Sequence, residues 1–196
     1  MTATGRPPST THDEIANVAL ALFERRGFEQ TSVEEIADAV GVGRRTIFRY
    51  FASKNDMVWG NFDWVNERLR RHLEESGEEV PMMEALRRAA VLSNAYPAAE
   101  LPALRLRLTL ITTVPALQAH SMLRYESWRQ VVAEWAAGRL DRDPADLVPQ
   151  LIGHLALGTS IAAFTRWVQH PEESLEQRLD EAYRMLAEGF PDPARS

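Results

Sequence analysis

Two short amphipathic segments that meet at Gly41-Val42-Gly43 constrain this chain more than any other feature of its sequence. The first opens on Thr31-Ser-Val-Glu34. That run fits a capping box, in which a hydroxyl and a carboxylate satisfy free backbone N–H groups at a helix start. Val33, Ile36, Ala37 and Val40 give it one apolar face, and Gly41 ends it. The second runs from Gly43 to Phe51 with Ile47 and Phe51 on its inner side. Two short helices joined by so tight a glycine bend form a helix-turn-helix, although an ordinary helical hairpin with a solvated basic face has the same spacing.

The residues on the outer side of the second helix favour the first reading. Arg45, Thr46, Arg49 and Tyr50 lie there, with Arg44 at the edge. The chain is acidic, with a formal charge of −6, yet Gly41–Asn55 holds four basic residues (Arg44, Arg45, Arg49, Lys54) and no acidic one. A local cationic patch on an acidic protein addresses phosphate, while the remainder limits non-specific adhesion. Arginine pairs in bidentate fashion with guanine O6 and N7 in the major groove. Threonine, tyrosine and lysine at these positions reach the phosphate backbone, and Lys54 is placed at the next helix start for that contact.

Upstream, residues 1–10 carry Pro7, Pro8 and several threonines and are expected to form a disordered tail. A helix from Ser9 or Thr11 to Arg26 follows, with Ile15, Ala19, Leu22 and Phe23 on one face and Gly27 as its stop. Downstream, Ser53 caps one long helix that reaches about Glu75, and Ser76–Pro81 is a break. Further helices are expected near 81–95, 100–113, 116–139, 145–169 and 172–188, with Pro81, Pro102, Pro115, Pro144 and Pro171 at or near their starts. Leu104–Leu110 alternates like a strand, but Leu101, Leu104, Leu108 and Ile111 also fit a helix, which its helical neighbours favour. The fold class is therefore all-α. A three-helix head containing the helix-turn-helix is expected over residues 11–55, and a larger helical domain, a candidate for ligand binding and dimerisation, over 56–190.

The sequence argues against catalysis. Cysteine is absent, which removes disulfides and thiolate chemistry. His12, His72, His120, His154 and His170 are scattered without metal-ligand spacing. Gly158-Thr-Ser160 is not a nucleophile elbow. Glu34-Glu35 and Glu172-Glu173 fit solvated helix starts. No cofactor and no metal are expected. No run approaches 18 uninterrupted apolar residues, and no apolar run follows the first charge, so neither a membrane span nor a signal peptide is expected and the cytoplasm is the simplest compartment.

The stretch TSVEEIADAVGVGRRTIFRYFASKNDMV resembles the TetR family of repressors, through Thr31, Ile36, Ala37, Gly41-Val42, Thr46, Phe48, Tyr50, Phe51 and Ser53-Lys54. The resemblance covers residues 12–60 and implies a three-helix DNA head, a helical ligand domain and a homodimer on a palindromic operator. Carried onto this chain, it implies phosphate contacts from Thr31 and Ser32, a major-groove face of Arg44, Arg45, Thr46, Phe48 and Arg49, and a backbone clamp by Tyr50 and Lys54. This chain departs from the family pattern at Gly43, which often is a capping serine there, at Arg45, often glycine, and at Phe48, commonly tyrosine. More narrowly, GRRTIFRYFASKND with WGNFD resembles regulators of the mycofactocin system of actinobacteria. That likeness implies control of a redox-cofactor gene cluster, with a fatty acyl-CoA as effector. An activator with the same head, or a helical interaction protein without DNA, are the alternatives.

Ala145–His170 is apolar almost all round and kept slim by Gly153, Ala156, Gly158 and Ala163. Such a helix is buried on both sides; one side needs a partner, or the core of a monomer. The expected dimer face is Leu151, Leu155, Gly158 and Ala162, joined by Leu175, Leu179, Tyr183 and Leu186 of the last helix. Leu108, Thr109, Thr112, Met122, Tyr125, Trp128, Arg129, Trp135, Phe164 and Trp167 are candidate walls of an effector pocket. They equally describe a core, and the threonines can back-bond within their own helix. Arg105, Arg107, Arg124 and Arg129 would suit an anionic headgroup or a solvated helix face alike.

Overall fold

The computed structural model describes residues 10–189, and its regular elements are all helices. In chain order they are α1 (His12–Arg26), α2 (Val33–Val40), α3 (Arg44–Tyr50), α4 (Lys54–Trp59), α5 (Phe62–Glu74), α6 (Met82–Ser93), α7 (Leu101–Thr113), α8 (Pro115–Leu140), α9 (Leu147–Gln169) and α10 (Leu175–Glu188). The chain divides into two compact units between Asn61 and Phe62, later than the boundary at 55–56 drawn from the sequence. Of the expected tail, residues 1–9 lie outside the described residues. Thr10 is buried rather than free: its hydroxyl donates to the Glu14 carboxylate at 2.8 Å.

In the first unit α1 packs on α2 and α4, and α2 on α3. Ile15, Ala19, Leu22 and Phe23 of α1, Ile36 and Ala37 of α2, Ile47 of α3 and Met57 and Val58 of α4 form its core. The start of α2 falls one residue later than expected. Ser32, not Thr31, is the N-cap, and it forms a reciprocal box with Glu35. Thr31 is buried, and its hydroxyl donates to the Gly27 carbonyl at 2.8 Å. Gly41 sits at φ 78°, a left-handed conformation that is cheap for glycine alone.

The long helix expected from Ser53 to Glu75 is interrupted. Gly60 at φ 59°, ψ −143° separates α4 from α5, in a region of backbone space essentially reserved for glycine. A run of apolar residues at helical spacing (Val58, Phe62, Leu69, Leu73) continues across it, which is why the sequence reads as one helix.

In the second unit α9 packs against α8, α10 and α7, while α6 lies on α10 and α5, and α5 on α8. The Leu104–Leu110 segment is helical, as its neighbours required. By length and composition α9 also suffices to cross a membrane. Here Gly153, Ala156, Ser160, Ala163 and Trp167 face inward. The Tyr183 hydroxyl of α10 donates to the Ala156 carbonyl at 2.9 Å and lies 2.8 Å from the Ser160 hydroxyl. Burial holds the Tyr183 phenol well above its usual pKa. Arg87 on α6 pairs with Glu84 and reaches across to Asp180 on α10. Hydrogen bonds from Arg87 and then Arg88 hold the Glu84 carboxyl at about 2, against an ordinary 4.5.

Two outcomes are expected. A methyl group on Gly153 would stand 2.9 Å from the Arg129 carbonyl oxygen, so Gly153→Ala forces α8 and α9 apart. It should cost about 1–3 kcal/mol in denaturant melts; an unchanged midpoint would contradict the packing. Because the folded pKa of Glu84 is depressed, its contribution to stability is present above about 4.5 and is lost as pH falls toward 2. Glu84→Gln should therefore flatten the stability–pH curve in that window only.

Candidate nucleic-acid interface

Helix α3 is held by little. Ile47 is its one buried residue, and Phe51, buried just beyond its end, is the second anchor. Gly43 as N-cap offers no side-chain bond, as the missing serine implied. Everything else on the helix faces outward or sits at the edge. Arg44, Arg45, Phe48 and Arg49 are exposed, and Thr46 and Tyr50 are half-buried. A period of 3.6 residues places Arg45 and Arg49 one above the other on the side opposite Ile47.

The arginines differ in how free they are. Arg44 bonds to Glu34 on α2 at 2.6 Å and lies 5.3 Å from the Phe48 ring. It therefore ties the two helices together at their exposed edge, a role that the sequence reading missed although Glu34 stands in the first turn of α2. Arg49 lies over the Tyr50 ring at 5.2 Å. Among the described residues Arg45 has no ion pair, hydrogen bond or ring contact, and Arg49 has no acidic partner.

The residues expected to grip the backbone divide. Ser32 is half-buried at the start of α2, with its hydroxyl shared with Glu35. The backbone N–H of Ser32, then its hydroxyl, hold the Glu35 carboxyl below its ordinary pKa, and Arg26 pairs with the same carboxylate. Thr31 is turned into the first unit and offers no hydroxyl to a phosphate. The Tyr50 hydroxyl donates to the Thr10 carbonyl at 2.8 Å, which pins the start of α1 beside the end of α3. The Lys54 ammonium also points inward, donating to the Phe28 carbonyl at 2.8 Å and the Thr31 carbonyl at 3.0 Å, with its nitrogen 4.2 Å from the Phe28 ring centroid.

The candidate effector residues are placed less uniformly. Leu108, Trp128, Arg129 and Trp167 are buried. Arg129 is occupied by Glu126 and Gln150, and Arg105 stacks 4.1 Å from the Trp167 ring. Thr109 and Thr112 back-bond to Arg105 and Leu108, at 2.9 and 2.8 Å. Met122 is on the surface at 71 % exposure. Phe164 is half-buried. Tyr125, also half-buried, is desolvated enough that its phenol is pushed up to about 12. Trp135 lines a cleft of about 210 Å³ with Arg70, Glu74, Val131 and Glu134.

The expected dimer residues separate as well. Leu151, Leu155, Gly158 and Ala162 are exposed along one edge of α9, continuous with Leu147 and Val148. Leu175, Leu179 and Tyr183 are not available, because they are 3 %, 0 % and 0 % exposed inside their own chain. Leu186 is half-buried, and the exposed large apolar residue of α10 is Met185.

A glycine-bent pair of short helices with free arginines on the second defines a helix-turn-helix DNA-binding protein. Comparison with known proteins narrows this. Residues 15–58 match the family model for bacterial regulatory proteins of the tetR family, and residues 80–191 match that of the MftR C-terminal domain. The chain is 36 % identical over 186 residues to MftR of Mycobacterium tuberculosis, named as a regulator of mycofactocin biosynthesis, covering 95 % of this chain and 94 % of that one. Among solved structures, it resembles FadR of Thermus thermophilus, a repressor in complex with lauroyl-CoA (TM-score 0.60, 22 % identity, 95 % and 98 % of the two chains). It also resembles SmeT, the efflux-pump repressor of Stenotrophomonas maltophilia (TM-score 0.62, 19 % identity, 94 % and 92 %). The chain belongs to the TetR family of bacterial transcriptional regulators, in the group that carries the MftR C-terminal domain.

Arg45→Ala should weaken binding to a specific site by about 1–3 kcal/mol and relax preference at one base pair. A selection from randomised duplexes, run with both proteins, reads this directly; identical preferred sequences would remove Arg45 from base reading.

Proposed function

We propose that this chain is a homodimeric repressor that holds a palindromic operator and releases it when a small molecule, an acyl-CoA, occupies its second unit. The observation that carries the reading is the outward side of α3, where Arg45 and Arg49 stand exposed without acidic partners. A guanidinium with that freedom can meet a guanine edge in the major groove without first breaking a bond within the protein.

The exposed edge of α9 supports the dimer. Leu147, Leu151 and Leu155 are 80 %, 49 % and 45 % exposed on a single chain, and a contiguous apolar strip of this kind is what a second copy covers. Glycine and alanine at 158 and 162 let two such helices approach closely. Twofold symmetry in the protein then calls for twofold symmetry in the operator, with half-sites spaced by helical turns. The α10 contribution comes from Met185 and Leu186 rather than from the stripe that includes Tyr183. Binding to chromosomal DNA puts the protein in the cytoplasm.

The acyl-CoA assignment draws on the FadR of Thermus thermophilus that shares this fold and on the likeness to mycofactocin regulators. Linkage fixes how it works: a ligand that favours the conformation with poor operator affinity lowers that affinity by the same coupling factor, commonly about 1–3 kcal/mol.

Two measurements test the reading. In a mobility-shift assay on the DNA upstream of its own gene, the protein should retard the duplex, and lauroyl-CoA should release it where free coenzyme A does not. Retention of the shift at saturating lauroyl-CoA excludes this effector class. In sedimentation, the species should weigh twice the 22.2 kDa chain, and Leu151→Arg with Leu155→Arg should give a folded monomer with much reduced operator affinity. A wild-type monomer would end the dimer.

A further inference from the structure

Lys54 is the single lysine of a chain whose basic residues are otherwise arginine. It stands four residues after the end of α3, yet its ammonium is spent on the turn that precedes α2, at Phe28 and Thr31. The contact therefore closes a loop around the helix-turn-helix: one side of the bond lies just before α2, the other just after α3. Both acceptors are main-chain carbonyls, and the residues that bear them, Phe28 and Thr31, are 4 % and 1 % exposed. A charged donor to a carbonyl is stronger than a neutral one, and the face of Phe28 adds a cation–π contact beneath it. The buried anchors of the pair are small in number, Ile36 and Ala37 on α2 and Ile47 on α3, and the polar ties beside Lys54 are Arg44 to Glu34, Arg26 to Glu35 and Tyr50 to Thr10.

We propose that Lys54 is a positioning residue of the DNA head: its ammonium clamps the α1–α2 turn to the segment after α3 and so fixes how α2 and α3 are presented, and it makes no phosphate contact. Two of the three ammonium N–H groups are taken by these carbonyls, so a phosphate that drew the half-buried ammonium outward would break bonds already made within the head. The Thr31 carbonyl would then lose its donor in a partly buried turn, and the Phe28 carbonyl would keep only the Thr31 N–H at 3.3 Å. The proposal rests on the reading of α3 as the groove-entering helix.

Three full-length proteins decide it: the unmodified chain, Lys54→Met and Lys54→Gln. Each is tested well below its melting temperature, so that only folded protein is compared. Binding to mixed-sequence duplex DNA is followed by fluorescence anisotropy across a salt series, and amide hydrogen exchange is read without DNA. Lys54→Met should weaken binding about tenfold at an unchanged salt slope, and should speed exchange at the amides of Thr31 to Ile36. Lys54→Gln keeps amide donors for the two carbonyls and should recover much of the protection and affinity, again at an unchanged slope.

A salt slope flattened by about one unit in both variants, with exchange unaltered, would make Lys54 a phosphate contact and overturn the proposal. Full affinity in Lys54→Met would reduce the contact to a simple stabiliser and overturn it equally. Failure of the unmodified chain to bind any duplex would instead remove the underlying DNA reading. The two failures are separable, because the exchange data show without DNA whether Lys54 holds the turn.

Discussion

Burial of the Ile47 side chain behind the glycine bend is the contact on which the rest of this account depends. Helix α3 has seven residues and buries one of them. A helix that short has little stability of its own, so it persists because Ile47, with Phe51 just beyond, is seated in the core of the first unit. Everything presented outward follows from that seating. With Ile47 inward, Arg45 and Arg49 must point away. A rotation of α3 by one residue would set Thr46 or Phe48 in place of Ile47 and turn Arg49 or Arg44 toward the protein.

The residues around this helix work chiefly by holding it. Arg44 ties its start to Glu34 of α2, Tyr50 ties its end to Thr10, and Lys54 binds the turn before α2. Three side chains that a sequence would assign to phosphate or base contact thus spend their polar groups within the head. The division of labour is between a frame of satisfied polar groups and a small free face of Arg45, Phe48 and Arg49. The second unit obeys the same logic on a larger scale. The inner side of α9 packs on α8 and α10 down to the Tyr183 hydroxyl, and its leucine edge is left exposed.

Much of this was legible in the sequence, because periodicity and punctuation are local. The helix boundaries after residue 80, the bend at Gly41 and the inward placement of Ile36, Ile47 and Phe51 all follow from apolar spacing, glycine and proline. What was not legible involves choices that spacing leaves equal. Thr31-x-x-Glu34 and Ser32-x-x-Glu35 are both capping boxes on paper. The structure takes the second because the Thr31 hydroxyl is drawn back to the Gly27 carbonyl at the end of α1. A glycine within a periodic run gives no sign of whether it is tolerated or adopts positive φ, so the break at Gly60 was hidden. The stripe of Leu175, Leu179 and Tyr183 announces burial but not the burying partner, which proves to be α6 and α9 of the same chain. Direction was hidden too: nothing in the composition says that Lys54 turns inward.

The central claim, that α3 enters the major groove with its arginines at guanine edges, is tested most directly by methylation interference. Methylation at guanine N7 blocks the major groove, and methylation at adenine N3 blocks the minor groove. The account predicts that N7 methylation at a few guanines, symmetric about the operator centre, abolishes binding by the unmodified protein, and that Arg45→Ala becomes insensitive to one such guanine in each half. Interference confined to adenine N3, or an Arg45→Ala pattern identical to that of the unmodified protein, would contradict it.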